Sequence, residues 1–246
     1  MKAFLLAAGL GKRLRPYTDA VPKCLIPING KPLMQIWFSL LETHGITEVL
    51  VNTHYHADKV EAFVNRARPG NRLVVKTRYE RSLLGSAGTL WHNRDFVAGE
   101  SDFVIAYGDN LTDVNLTEMT ECHHVYRKKG GVLTMGLFEA ENPRACGIAV
   151  LDKGNRIVDF AEKPRNPAGR LANSGIFIAS AALFDHFPGR SETHRNDEPF
   201  DFGFHILPEL AGIMYGYRIR SYIRDIGTIA SYRAAEKEWP EGIGHI

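Results

Sequence analysis

The chain is poor in several things that would assign it to a familiar class. It has only three cysteines, Cys24, Cys122 and Cys146, an odd number without a C-x-x-C pair. That excludes a disulfide framework and points to a reducing compartment, so a cytoplasmic location is expected. Excess charge is slight, at +2 over 246 residues, which argues against a nucleic-acid partner. The opening apolar run, Ala3 to Ala7, is too short to cross a bilayer, and the glycine and arginine loop behind it is unlike a signal-peptide cleavage site, so no membrane partner is expected. His54 with His56, and His123 with His124, lack a third ligand at a zinc spacing, and the adjacent pair should not face the same way on a helix. There is no Gly-x-Ser-x-Gly elbow, and neither Cys24 nor Cys146 has a neighbouring base. A dinucleotide fingerprint would need glycine or alanine where Leu14 stands, and no Walker A loop is present.

What the chain does have is a strand that opens into a loop. Ala3 to Ala7 runs into Gly9 and Gly11, followed by Lys12, Arg13 and Arg15. Glycines let backbone approach an anion, and arginine supplies planar donors that stay charged, so the loop reads as a polyphosphate holder. Leu33, Ile36, Trp37, Leu40 and Leu41 predict a helix within Lys31–His44, and Gly45 stands where a helix stops. A strand at Glu48–Asn52, a helix at Ala57–Arg66 and an extended segment at Arg72–Tyr79 continue an alternation that implies a parallel sheet covered on both faces.

Leu83–Leu90 is a glycine-bearing turn entering a helix, Asp102–Asp109 a strand ending in Gly-Asp, Asn115–Lys128 a helix and Val132–Phe138 a strand. From Cys146 the pattern becomes an antiparallel hairpin, with Gly147–Asp152 and Arg156–Pro164 joined by a turn at Lys153–Asn155. A strand at Asn173–Ile178, helices near Ala181–His186 and over Phe202–Leu210, an extended Tyr217–Tyr222 and a closing helix at Thr228–Trp239 follow. The polar, aperiodic stretch Arg190–Pro199 reads as a surface loop. No repeat, low-complexity tract or linker divides the chain. The expectation is one α/β domain: a Rossmann-like three-layer sandwich with a mostly parallel central sheet and an antiparallel hairpin region. Its halves would meet near residue 140, the second running from 141 to 227 ahead of the closing helix.

Asp109 and Asp225 each end a predicted strand. Two carboxylates with phosphate oxygens and water suit Mg²⁺, although a lone aspartate at such a position more often caps a turn. Lys23 and Lys163 each lie beside proline, in Pro22-Lys23 and Lys163-Pro164, which should present each ammonium from a rigid extended segment.

Taken together, Gly9-Leu-Gly-Lys-Arg-Leu-Arg-Pro-Tyr-Thr18 and Pro22-Lys-Cys-Leu-Ile-Pro-Ile-Asn-Gly-Lys-Pro32 closely resemble the signature of the sugar-1-phosphate nucleotidyltransferases. Leu84-Gly-Ser-Ala-Gly88, Gly108-Asp109, Glu162-Lys163-Pro164, Asn173-Ser-Gly-Ile-Phe177 and Asp225-Ile-Gly-Thr228 continue the match in order over nearly the whole chain. The resemblance implies that Arg13 and Lys23 bind the nucleotide phosphates, and that Ala8, Gly9, Gly11 and Gly85 lie on the nucleotide side with Glu80 as a further base-side candidate. It also implies that Asp109 and Asp225 hold Mg²⁺, that Lys163 grips the sugar phosphate, and that Gly147, Glu162 and Asn173 contact the sugar. Cys24 stands where many relatives have proline, and Arg224 where an aliphatic or aromatic residue is frequent. The chain stops soon after its closing helix, so no fused acyltransferase is expected.

The implied partners are a nucleoside triphosphate and a sugar 1-phosphate, bound by a monomer or small homo-oligomer that serves nucleotide-sugar and envelope-polysaccharide synthesis. A phosphate monoester has a second pKa of about 6, so its attacking oxygen is already ionised near neutrality and no general base is required. The task is to bring two anions together. The base cues conflict: Leu-Gly-Ser-Ala-Gly resembles guanylyl- and some uridylyltransferases, while Leu6-Ala-Ala-Gly9 is shared with uridylyltransferases. GTP with a mannose- or heptose-like phosphate is favoured, against UTP with a hexose or amino-sugar phosphate. A nucleotide-sugar-dependent glycosyltransferase would carry Asp-x-Asp, which Asp109-Asn-Leu-Thr-Asp113 does not supply. A non-catalytic sensing subunit would not need Arg13, Lys23, Asp109 and Asp225 together.

Overall fold

The structure, a computed structural model, describes residues 1–66, 72–188 and 199–240. In chain order the elements begin β1 (Lys2–Leu6), α1 (Tyr17–Ala20), β2 (Pro27–Ile28), β3 (Lys31–Pro32), α2 (Leu33–Thr43), β4 (Glu48–Thr53), α3 (Ala57–Arg66) and β5 (Val74–Tyr79). They continue with α4 (Ser86–His92), β6 (Asp102–Tyr107), β7 (Asn110–Thr112), α5 (Leu116–Arg127), β8 (Leu133–Glu139), β9 (Gly147–Leu151), β10 (Ile157–Glu162) and β11 (Leu171–Ser180). Last come α6 (Phe202–His205), β12 (Met214–Arg218), β13 (Ile223–Asp225) and α7 (Ile229–Glu238). The fold is α/β, with one nine-stranded, mostly parallel central sheet and two small two-stranded pairings.

Two compact units share these elements: Met1–Leu83 with Ala106–Leu116 and Ser221–Ile246, and Leu84–Ile105 with Thr117–Arg220. In the first, β4 pairs in parallel with both β1 and β5. The strands β1 and β4 are fully apolar at their centres because helices cover such a sheet from both sides. Along α2, Leu33, Ile36, Trp37 and Leu41 of the expected stripe are buried together with Met34 and Phe38, while Leu40 is only partly so. Each large apolar side chain removed from water contributes about 1.5–3 kcal/mol, so this helix is held chiefly by that face. The Trp37 indole Nε1 also donates to the Asn110 carbonyl at 2.8 Å, fixing α2 against the residue that follows Asp109.

In the second unit β8 runs parallel to β12, while β9/β10, β8/β11 and β9/β11 are antiparallel, so the hairpin expected after Cys146 is present. Its core holds a chain of rings. Phe184 stacks on Phe103, Phe187 on Trp91, and Phe202 meets Phe177 edge to face.

Several local expectations need correction. Phe202–Leu210 is not one helix but the single turn of α6 followed by a 3-10 turn at Leu207–Leu210, since Pro208 cannot donate to a continuing helix. Ala181–His186 is likewise 3-10. The extended stretch expected at Tyr217–Tyr222 holds only the end of β12, at Tyr217 and Arg218, and the break that follows it; β13 begins after it, at Ile223. Residues 190–198 of the polar stretch lie outside the described residues.

His123 and His124 were expected to face different ways, and their burial does differ. Even so, the Nε2 atoms of both lie 3.3 Å from carboxylate oxygens of the buried Asp102, which Arg127 also grips at 2.9 Å. Burial lowers the His123 pKa to about 4, against the pull of Asp102. Between that value and the ordinary 6.5 the unfolded chain binds the proton and the folded one does not. Stability is therefore full above pH 6.5 and is lost as pH falls towards 4, by on the order of 3 kcal/mol. His123→Gln should flatten this acid limb in urea titrations across that range; an unaltered limb would contradict the assignment.

Candidate active site

The first unit brings three of the expected residues onto one point. Lys23 Nζ lies 2.5 Å from Asp109 Oδ2 and 3.3 Å from Asp225 Oδ1. Local structure explains how aspartates so far apart in sequence meet. β7 and β13 form a two-stranded ladder in which Asp225 pairs with Asn110, and the Ile226 amide donates to the Asp109 carbonyl at 3.1 Å. Thr112 Oγ1 donates to the Tyr222 carbonyl, and the Tyr222 amide to Asp113 Oδ1, which locks the register. Arg224, the residue out of pattern, is held by Glu238 of α7 at 2.8 and 2.9 Å, so the unusual arginine anchors β13 to the closing helix. At the other end of α7 the Thr228 hydroxyl caps the Ser231 amide, and Ser231 Oγ donates to the Asp225 carbonyl. Tyr232 OH reaches the Pro27 carbonyl at 2.9 Å, joining the helix to the segment that carries Lys23.

Lys23 is not on an extended segment as expected. Pro22 is extended, and Lys23 opens a 3-10 turn to Leu25 that turns its side chain inward, leaving only 10% of it exposed. Burial opposes its charge, but the Asp109 and Asp225 carboxylates outweigh that and raise its pKa. The ammonium is therefore a permanent cation at neutral pH. Asp225 sits above the usual carboxylate range because it is partly stripped of water and faces the Asp109 charge, while Lys23 and the Gly227 amide pull it down. With 55% of its side chain open, water screens much of that effect. Cys24, beside Lys23, is buried and its thiol is pushed up to about 12, so it is no nucleophile.

Arg13 belongs to the same centre. It rides a 3-10 turn at Lys12–Leu14 that starts from Gly11 in the left-handed conformation (φ 62°), while Thr18 Oγ1 holds the Gly11 carbonyl at 2.8 Å. A Cβ on Gly227 would stand 2.8 Å from Asp225 Oδ1 and 3.0 Å from Arg13 Nη2. Arg13 and Asp225 thus flank this bare backbone, a position the motif Asp225-Ile-Gly-Thr contained but sequence reasoning did not single out. Gly227→Ala should displace both groups. An effect of about 10²-fold on turnover is expected with the fold intact, since an ångström of misplacement costs that much. Turnover beside circular dichroism checks it.

Ala8 is buried and the space over Gly9 is open, as a Cβ there would meet nothing within 4 Å. Glu80 is buried too: Asn52 Nδ2 donates to its Oε1 at 2.8 Å, while Asn52 Oδ1 accepts the Ala7 amide at 2.7 Å. Asn52 therefore ties Glu80 to the end of β1. A polar side chain closing an apolar strand was the overlooked signal.

The second unit gathers the sugar-side candidates. Glu162 pairs with Gly147 across the hairpin, and Lys163 Nζ lies 3.5 Å from Glu162 Oε1. Lys163 is left-handed (φ 46°) rather than extended, its amide donating to the Cys146 carbonyl. Burial, then the charge of Asp201, raises the Glu162 pKa, with Lys163 acting in the opposite sense. Asn173 lies on β11, its Oδ1 taken by the Gly175 amide, and no bond joins it to the Glu162 group. Gly85 also belongs to this unit, at the start of α4.

Comparison with known proteins shows the family. The family model for nucleotidyl transferases matches residues 2–241. The chain belongs to the nucleotidyl transferase family. It is 31% identical to the D-glycero-α-D-manno-heptose 1-phosphate guanylyltransferase of Aneurinibacillus thermoaerophilus, over 97% of this chain and 98% of that protein. It is 32% identical to the UTP–glucose-1-phosphate uridylyltransferase of Synechocystis, over 94% of this chain but only 61% of that longer relative. In fold it is similar to the crystal structure of HddC from Yersinia pseudotuberculosis, with a TM-score of 0.78 and 23% identity, over 97% of this chain and 99% of that one.

Proposed function

We propose that this nucleotidyl transferase condenses GTP with a mannose- or heptose-like 1-phosphate to give a GDP-sugar and pyrophosphate. The observation that carries the reading is the cation-and-carboxylate centre of Lys23, Asp109 and Asp225 with Arg13 alongside. A sugar-phosphate oxygen attacks the α-phosphorus, a new P–O bond forms, and the bond to the bridging oxygen breaks as pyrophosphate leaves. Lys23 supplies a fixed positive charge for the phosphoryl group under attack, and Arg13 a planar donor pair for the leaving phosphates. Lys163 neutralises the incoming sugar phosphate, while Glu162, Gly147 and Asn173 orient the sugar.

Asp109 and Asp225 would hold Mg²⁺. Two carboxylates converging on one cation, without a third acidic, histidine or cysteine ligand among the described residues, fit a hard ion that completes its shell with phosphate and water. When bound, it would supply charge neutralisation at the phosphates.

Guanine is supported by the guanylyltransferase relative that matches end to end. UTP remains the second reading, on the strength of the uridylyltransferase relative. With either, the role we propose is cytoplasmic, in making envelope polysaccharide precursors. Pyrophosphate release, measured for five nucleoside triphosphates against a panel of sugar 1-phosphates, should peak with GTP and a manno-configured phosphate. A peak with UTP and glucose 1-phosphate would move the assignment to the second reading.

A further inference from the structure

Within the second unit, one short segment is bonded to both the Leu84–Gly88 turn and the surroundings of Glu162. The Phe200 amide donates to the Leu84 carbonyl at 2.8 Å, and its carbonyl receives the Ala87 and Gly88 amides at 2.9 and 3.1 Å. Gly85, at φ 80°, lies so close under this strap that a Cβ would collide with the Phe200 backbone. The next residue continues the tie. Ser86 Oγ donates to Asp201 Oδ2 at 3.1 Å and accepts the Phe202 amide at 2.7 Å. Asp201 Oδ1 caps α6 by accepting the Phe204 amide at 3.0 Å, and the Asp201 amide donates to His205 Nδ1 at 2.9 Å.

On its other side Asp201 borders the sugar-side carboxylate. The point where a Gly203 Cβ would stand is 2.9 Å from Glu162 Oε2 and 3.2 Å from Asp201 Oδ1. A Cβ on Gly147 would also collide with Glu162 Oε2. Glu162 therefore rests in a seat made by two missing side chains, with Asp201 as its wall. Among the described residues, the charged groups facing it are Lys163, whose ammonium also lies 5.4 Å over the Phe204 ring, and Asp201.

We propose that Asp201 is a positioning residue which, through Ser86, couples the nucleotide-side turn Leu84–Gly88 to the placement and charge of Glu162. Movement of the turn on nucleotide binding is passed through the Ser86–Asp201 bond to the wall of the Glu162 seat. Affinity for the second substrate thereby depends on occupancy by the first. This rests on the reading of Gly85 as a nucleotide contact and Glu162 as a sugar contact.

The test uses the full chain with GTP and the best sugar 1-phosphate, in wild type, Ser86→Ala, Asp201→Asn and the double variant. Each single variant should raise the KM for sugar phosphate by about tenfold, the cost of losing a charged hydrogen bond, with kcat changed far less. The double variant should add little to either single one. In Asp201→Asn the charge that raises the Glu162 pKa is gone, so the acid limb of kcat/KM for sugar phosphate should move to lower pH. Ser86→Ala keeps that charge and should leave the limb in place. A merely structural cap would show no limb shift and additive effects, and either result overturns the proposal. If Asp201→Asn does not fold, Ser86→Ala and Gly203→Ala carry the test: the first through the KM change, the second by unseating Glu162 with the same KM signature. A wild type without pyrophosphate release would instead remove the functional reading itself, so the two failures are distinct.

Discussion

Asp109→Asn protein folds normally and releases pyrophosphate at about a hundredth of the wild-type rate or less, at any practical Mg²⁺ concentration. The substitution keeps the shape and removes one of two carboxylates that converge on Lys23. Losing a preorganised electrostatic contact of this kind costs roughly 3 kcal/mol of transition-state stabilisation, which is about two orders of magnitude in rate. The fold is spared because the ladder that holds residue 109 uses backbone: its carbonyl accepts the Ile226 amide, and Asn110 pairs with Asp225. Parallel circular dichroism and pyrophosphate release check both halves, and near-normal turnover would sink the assignment of Asp109.

Lys23→Met has an effect at least as large on turnover and a second effect on stability. The methionine fills the same buried volume but leaves Asp109 and Asp225 facing each other without their shared cation. Breaking a fully buried pair costs 3–5 kcal/mol, yet these carboxylates keep 39% and 55% of their surface in water, so about 1–2 kcal/mol is expected. The sign with pH follows from Asp225. Its folded pKa already lies above its unfolded one, so the folded state binds more protons in that window and stability falls as pH rises through it. Without Lys23 the window widens, and the variant should be relatively more stable on its acid side. Mg²⁺ should raise the melting temperature of Lys23→Met more than that of wild type. Equal shifts would mean that the two carboxylates do not act as a cation site.

The sequence was most informative where periodicity and chemistry coincide. The α2 stripe of Leu33, Ile36, Trp37 and Leu41 and the apolar β1 could be read because one buried face dictates residue type every third or fourth position, or continuously along a covered strand. Arg13, Lys23, Asp109 and Asp225 were legible as candidates because phosphate chemistry draws on few residue types. What could not be read was held by backbone or by absence. The β7–β13 ladder is three residues on each side, too short for alternation to register. Gly227 and Gly203 matter through the room they leave beside Asp225 and Glu162, which no pattern of spacing reveals. Lys163 is left-handed although the proline after it favours extended backbone, and its amide is held by the Cys146 carbonyl across the hairpin, a contact no local pattern shows. Asp201 stands out only through its bond to Ser86, a residue 115 positions away in the chain.

The most direct measurement follows the phosphorus. Wild-type protein and Asp109→Asn are each incubated with Mg²⁺, a manno-configured sugar 1-phosphate and GTP labelled at the α-phosphorus. In wild type the label should appear in a GDP-sugar with one pyrophosphate released per sugar consumed, and the variant should form almost none. Label found as free GMP or GDP, or a sugar product equal in both proteins, would contradict a nucleotidyl transfer centred on Lys23, Asp109 and Asp225.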